Sequence, residues 1–156
     1  PLPTIVSLVS LALCLPAMGG PDAITINVGT KAAAPFLGFG WSKREDDGKR
    51  TFQWIDRLEA DVFFEAAAPR DMELAIRAAP MHMGWRQQRM AVLLNDHFAG
   101  EVVCEHSPDF RDYSFAIPAR LFHPGKNRLI LRMAYREGLG KDPRELALAV
   151  DTLTLK

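Results

Sequence analysis

From Asp22 onward, apolar and polar residues alternate in short runs separated by Gly, Pro and Asn-Asp punctuation. Ile24, Ile26 and Val28 alternate with Thr25 and Asn27, the period of a half-buried strand. Residues 50–55 place Phe52 and Trp54 on one face, and residues 58–66 follow with the β-favouring Val62-Phe63-Phe64. In residues 72–78, Met72, Leu74 and Ile76 alternate with Glu73, Ala75 and Arg77. Residues 90–94 lead through Asn95-Asp96 into 101–105, a hairpin pattern. Tyr113, Phe115 and Ile117 alternate, then Leu129, Leu131 and Met133, then Leu146, Leu148 and Val150 before the closing Leu153-Thr154-Leu155. About eight or nine strands at a spacing of roughly ten residues predict an all-β antiparallel sandwich or barrel. Residues 58–68 contain good helix formers, yet Pro69 and the Val-Phe-Phe run favour a strand. No long helix competes.

The start of the chain breaks this pattern. Residues 1–21 carry no charge, and Asp22 is the first ionisable side chain. Within it, the 17-residue run from Leu2 to Met18, interrupted by Pro3 and Pro16, is marginal for a membrane span of ~20 residues and long for the apolar part of a signal peptide. It reads as the end of a transmembrane helix, as a signal peptide, or as a core helix without a polar face. The first two place residues 22–156, the expected sandwich domain, on the extracytoplasmic side of a membrane or outside the cell.

Composition narrows the function classes. Lys+Arg and Asp+Glu number 19 each in 156 residues, so the chain has no net charge with which to attract nucleic acid. An apolar content of 48% excludes disorder. With one of its two cysteines, Cys14, inside the apolar run, Cys104 reads as a small hydrophobe on a strand rather than half of a disulfide.

Candidate chemistry is sparse. Met81-His82-Met83, Cys104 and His106 are soft or borderline copper-ligand types, and period two puts Cys104 and His106 on one strand face. No spacing brings the methionines to them, and no metal or other cofactor is assigned. Glu45, Asp46 and Asp47 are adjacent in an expected loop, whereas glycosidase carboxylates face each other across ~5–9 Å. Gly138-Leu139-Gly140-Lys141-Asp142 lacks the spacing of a phosphate loop and reads as a turn. No nucleophile-elbow Gly-x-Ser-x-Gly occurs, so no catalytic residue is assigned.

Two passages resemble galactose-binding-like jelly rolls. One is Val92-Leu93-Leu94-Asn95-Asp96-His97-Phe98, with Asn-Asp where that fold's hairpin turn usually reads Asn-Gly. The other is Tyr113 to Pro118 followed by Pro124-Gly125-Lys126-Asn127-Arg128-Leu129, where Gly and Asn close a turn between core strands. The ordered set Phe36-Leu37-Gly38-Phe39-Gly40-Trp41-Ser42-Lys43-Arg44-Glu45, Phe52-Gln53-Trp54 and Asp142-Pro143-Arg144-Glu145-Leu146-Ala147-Leu148-Ala149-Val150-Asp151 is similar to an extracytoplasmic β-sandwich domain of bacterial membrane glycosyltransferases and related integral membrane proteins. The resemblance implies a noncatalytic carbohydrate-binding-like accessory domain, with a glycan or envelope polysaccharide and a membrane as partners. The alternatives are a structural or protein-interaction sandwich that binds no sugar, and a small secreted hydrolase.

Within that set Trp41, Glu45, Trp54 and Arg144 are the candidate ligand-binding residues. Aromatic faces stack on sugar rings, and carboxylates accept hydrogen bonds from hydroxyls. The competing structural reading puts Trp54 in the core and pairs Glu45 with Arg144 to pin residues 38–45 against residues 142–146. An exposed Trp41 or Trp85 in a groove favours the sugar-binding reading.

Overall fold

The computed structural model describes residues 23–82, 84–138 and 140–156. The apolar run over residues 1–21, with Cys14, lies outside the described residues, as does Met83. The strands are β1 (Ile24–Asn27), β2 (Trp41–Asp46), β3 (Thr51–Ile55), β4 (Glu59–Ala66), β5 (Met72–Pro80), β6 (Arg89–Leu94), β7 (His97–Val103), β8 (Arg111–Ile117), β9 (Gly125–Met133), β10 (Glu137–Gly138), β11 (Glu145–Leu146) and β12 (Leu148–Leu155). They form two antiparallel sheets face to face. One has the order β2-β3-β12-β5-β8 with β1 also on β12, and the other β4-β9-β6-β7; β10 and β11 make a separate small hairpin. This is the expected jelly-roll sandwich.

Period-two alternation builds the core. On β5, Met72, Leu74, Ile76 and Ala78 are buried, while Glu73 is exposed and Arg77 half-buried on the other face. Across the gap, Val62 and Phe64 of β4 and Leu129, Leu131 and Met133 of β9 complete the apolar layer. Each fully buried side chain of this size stabilises the fold by about 1.5–3 kcal/mol before conformational entropy is counted.

β12 is the hub. One edge pairs with β5 from Leu148 to Leu155. The other is shared, β3 taking Leu148, Ala149 and Val150, and β1 taking Thr152 to Leu155. First and last strands therefore meet. A bulge between Val150 and Thr152 separates the two partners, and there Val28 N–H donates to the Asp151 carbonyl at 2.8 Å. Gly29 passes so close to the next strand that a Cβ would lie 2.0 Å from the Thr51 carbonyl carbon.

The turns follow their residues. Asn95 and Asp96 have φ of 50° and 67°, the left-handed pair of a two-residue hairpin between β6 and β7. Gly125 has φ 85°, and the fully buried Asn127 closes the turn behind it. Its Oδ1 accepts from His123 N–H at 2.7 Å and from Asn95 Nδ2 at 2.8 Å, so the two hairpins are tied together.

Three expectations are corrected. Glu45 and Asp46 lie on strand β2 rather than in a loop, and only Asp47 starts the turn. Charged residues at that edge hid the strand, because an edge strand needs no apolar run. The strand expected over residues 101–105 runs instead from His97 to Val103, since the Asn95-Asp96 turn allows pairing to begin at once. Cys104 and His106 therefore follow the strand and do not share a strand face. Gly138 and Glu145 pair across the β10–β11 hairpin, so the glycine-rich stretch is its connection.

Topology sorts the loops. At the end where β3, β5 and β9 finish and β12 begins, residues 81–82, 84–88, 104–110, 134–138 and 140–147 gather. The start of β1, residues 66–70 and Gly125 lie at the opposite end.

Candidate functional site

The predicted pairing of Glu45 with Arg144 is present. Arg144 Nη1 donates to Glu45 Oε1 at 2.6 Å, and Nη2 and Nε reach Asp142 Oδ2 and Oδ1 at 2.7 and 3.0 Å. Ser42 Oγ lies 3.4 Å from Nη1. The Glu45 and Arg144 side chains each keep 28% of their surface, so the cluster is half-buried. The Arg144 hydrogen bonds hold the Asp142 carboxyl down at about 2, and the two carboxylates raise the Arg144 guanidinium in turn. One guanidinium thus fastens residues 142–146 to strand β2.

The two tryptophans are placed less like a platform. Trp41 packs against the core, and its indole N–H donates to the Asp61 carbonyl at 2.8 Å. Trp54 is not a core residue. It sits opposite Ala149, half-buried, and meets Phe52 edge to face at 6.2 Å. Phe52 in turn touches Phe110, over which Arg50 stacks at 4.5 Å. All three guanidinium nitrogens of Arg144 bond within the cluster, which suits a clamp.

The other sequence candidates resolve quickly. Asp46 Oδ1 accepts from Gly48 N–H, and Asp47 Oδ1 accepts from Lys49 and Arg50 N–H, so both carboxylates shape the β2–β3 turn. Met81 and Cys104 are buried, and burial pushes the Cys104 thiol up to about 12, well away from the thiolate a metal requires. Of the soft-ligand set, His82 and His106 come together, with ring centroids 6.1 Å apart. Among the described residues no group of three or more His, Cys, Asp or Glu could hold a metal ion.

A second feature was not singled out as a site from the sequence. Trp85 is 91% exposed. A tryptophan normally buries most of its surface, so an indole offered to solvent this fully calls for a partner. Both neighbours are held. Gly84 N–H donates to Glu137 Oε2 at 3.1 Å, and Arg86 stacks on the Tyr135 ring at 4.2 Å while the Tyr135 hydroxyl donates to the Arg86 carbonyl. Deeper in, the buried Gln88 donates to the Tyr135 carbonyl at 2.9 Å and accepts from Ala134 N–H at 3.0 Å. Residues 84–88 are therefore stitched to 134–137.

Gly84 and Arg86 also line a depression of about 390 Å³, completed by Arg136, Glu137, Gly138 and Glu145. Its charges are matched, Arg86 with Glu137 at 3.6 Å and Arg136 with Glu145 at 3.1 Å. Arg136 also donates to the Asp56 carbonyl at 3.0 Å. Trp85 does not line the depression itself, but Gly84 and Arg86 on either side of it do, so the segment that carries the exposed indole also borders a polar, electrically balanced surface. A somewhat larger cavity of about 440 Å³ lies at the opposite end of the sandwich, among Ile24, Ala66, Ala67, Ala68 and Met72. It offers no aromatic face, and its size alone does not recommend it.

No protein-family profile matches the chain, and no curated protein does. Solved structures share its fold. The C-terminal CBM6 of LamC, a marine laminarinase from Zobellia galactanivorans, superposes with a TM-score of 0.56 at 9% identity, covering 86% of this chain and 99% of that one. The CBM36-1 domain of a multidomain xylanase from the hindgut metagenome of Trinervitermes trinervoides gives 0.55 at 8% identity, covering 86% and 97%. A GH26-CBM35 β-(1,4)-mannanase of Podospora anserina gives 0.51 at 15% identity, and the chain spans only 27% of its length. At these identities the likeness shows a shared β-sandwich fold and nothing further.

Proposed function

We propose that this domain is a noncatalytic carbohydrate-binding module that receives a neutral glycan on Trp85 and the adjoining depression. The observation that carries the reading is the 91% exposed indole with both of its chain neighbours pinned. With the backbone on both sides of Trp85 held, a pyranose stacking on the ring has to order the side chain but not the loop, which limits the entropy lost on binding. The paired guanidinium and carboxylate groups offer donors and acceptors to sugar hydroxyls without a net field, which favours uncharged over anionic polysaccharide. A depression of about 390 Å³ falls at the lower end of ligand-site sizes and is open, as suits an accessory domain. The carbohydrate-binding modules among the structural neighbours support the class of ligand without naming one.

The expected extracytoplasmic placement next to a membrane belongs to the same proposal and rests on the apolar run of residues 1–21, and the company of a glycosyltransferase rests on the resemblance of residues 36–45, 52–54 and 142–151. Ile24 starts β1 at the end of the sandwich opposite Trp85, so a chain anchored through that run would point its glycan surface away from the membrane. The Arg144 cluster favours a second reading for its own corner. There Glu45 and Arg144 form a structural clamp, while Trp41 bonds the Asp61 carbonyl and Trp54 meets Phe52, as in a sandwich that binds no sugar.

Affinity electrophoresis through gels containing neutral or uronic-acid-rich polysaccharides tests the proposal. Retardation in at least one neutral gel, lost in Trp85→Ala and kept in Glu45→Gln, is the expected result. Retardation lost in Glu45→Gln and kept in Trp85→Ala would move the site to the clamp.

A further inference from the structure

The meeting of His82 and His106 is independent of the glycan surface. His82 follows β5 in the 81–88 loop, and His106 follows β7 in the 104–110 loop, 24 residues away in the chain. Both roots are fixed. Beside His82, Met81 is buried and its N–H donates to the Ala147 carbonyl at 2.9 Å. Before His106, Cys104 N–H donates to the Gln88 carbonyl at 2.8 Å, and Glu105 N–H to the Tyr113 hydroxyl at 3.1 Å. The rings stand 6.1 Å apart, centre to centre, at 72°. His82 is half-buried and His106 exposed, and among the described residues neither imidazole is hydrogen-bonded or paired with a carboxylate.

We infer that His82 and His106 form a two-imidazole site for a borderline divalent transition ion, of the Zn(II), Ni(II) or Cu(II) class. With metal–nitrogen bonds of about 2.0–2.1 Å, a metal lies about 3.2 Å from each ring centre, so a tetrahedral angle puts the centres about 5.2 Å apart. The observed 6.1 Å is within side-chain rotation of that value. Imidazole nitrogen selects these ions over Mg(II) and Ca(II), which prefer oxygen. Water completes the coordination, because Met81 and Cys104 are both buried in the protein. Such a site holds an exchangeable ion, and the fold does not depend on it. The ion ties the loop that carries Trp85 to the loop after β7.

Titration of the full chain with ZnCl2 and NiCl2, followed by calorimetry and by the histidine ring proton resonances, tests this. One equivalent should shift the His82 and His106 ring signals together and leave those of His97 and His123 in place. The calorimetric signal should vanish in His82→Ala and equally in His106→Ala, while His97→Ala retains it. Both variants change solvent-accessible side chains, and unchanged melting curves without metal establish that they fold. A stoichiometric site that survives His82→Ala, or no shift of either ring at millimolar metal, overturns the inference.

Discussion

Removing the Arg144 guanidinium separates a clamp from an incidental surface contact. The side chain links three acceptor oxygens, Glu45 Oε1 at 2.6 Å and the two Asp142 oxygens at 2.7 and 3.0 Å. A fully exposed pair is worth about 0.2–1 kcal/mol, while breaking a buried one costs about 3–5 kcal/mol. Glu45 and Arg144 are each 28% exposed, so screening by solvent holds their coupling near the top of the exposed range, about 1 kcal/mol. At this domain size that corresponds to roughly 3–4 °C in melting temperature. The assay is a double-mutant cycle with Glu45→Gln, Arg144→Ala and the combination, read by urea and thermal unfolding. Arg144→Ala should cost more than Glu45→Gln, because it also strands Asp142 beside Glu45. Arg144→Lys should recover only part of the loss, since a point charge cannot serve two carboxylates in the fork geometry. Single effects that add to within about 0.3 kcal/mol would refute the coupling.

Four further outcomes follow from the structure. Arg144 lowers the Asp142 carboxyl from 3.8 to about 2, so the folded state binds that proton less readily than the unfolded chain. This contribution is complete above the unfolded value and is lost as pH falls from about 4 to about 2, so melting temperatures over that range should fall less steeply in Arg144→Ala. Gly29→Ala, whose Cβ would press on the Thr51 carbonyl carbon at 2.0 Å, should cost about 3 kcal/mol in urea unfolding. Gly138→Ala, with nothing within 4 Å, should stay within about 0.5 kcal/mol of the parent. Cys104, buried with its thiol near 12, should resist alkylation at neutral pH, as read by mass spectrometry of its peptide, until denaturant opens the core.

Much of the fold could be read along the chain because its inward residues obey period two without interruption. The buried set on β5 and the run Leu129, Leu131 and Met133 on β9 are the clearest cases. Asn95-Asp96 and Gly125 marked their turns because few other residues accept φ above zero. Strand β2 was hidden because four of its six residues, Lys43, Arg44, Glu45 and Asp46, are charged. Its edge position and the clamp explain that composition, which local pattern could not. The Glu45–Arg144 pair was legible only through the joint resemblance of two distant segments, since nothing in the intervening residues fixes their distance. Trp85 was legible as a residue but not as a site, because its loop is held by Ala134, Tyr135 and Glu137, whose bonds to Gln88, Arg86 and Gly84 span 46 to 53 positions. His82 and His106 were paired by the ends of β5 and β7, and period two had offered the wrong partner geometry.

The central claim is that the Trp85 end of the sandwich binds a neutral glycan. The most direct measurement is backbone amide chemical-shift mapping of the isotopically labelled protein against neutral oligosaccharides, including β-linked gluco-, xylo- and manno-oligomers. The account predicts that at least one of them shifts Gly84, Trp85, Arg86, Arg136, Glu137, Gly138 and Glu145 as a contiguous patch. The Trp85 indole N–H should move with them, and Trp85→Ala should abolish the response. Shifts confined to strand β2 and Arg144, or a response unchanged in Trp85→Ala, would contradict it.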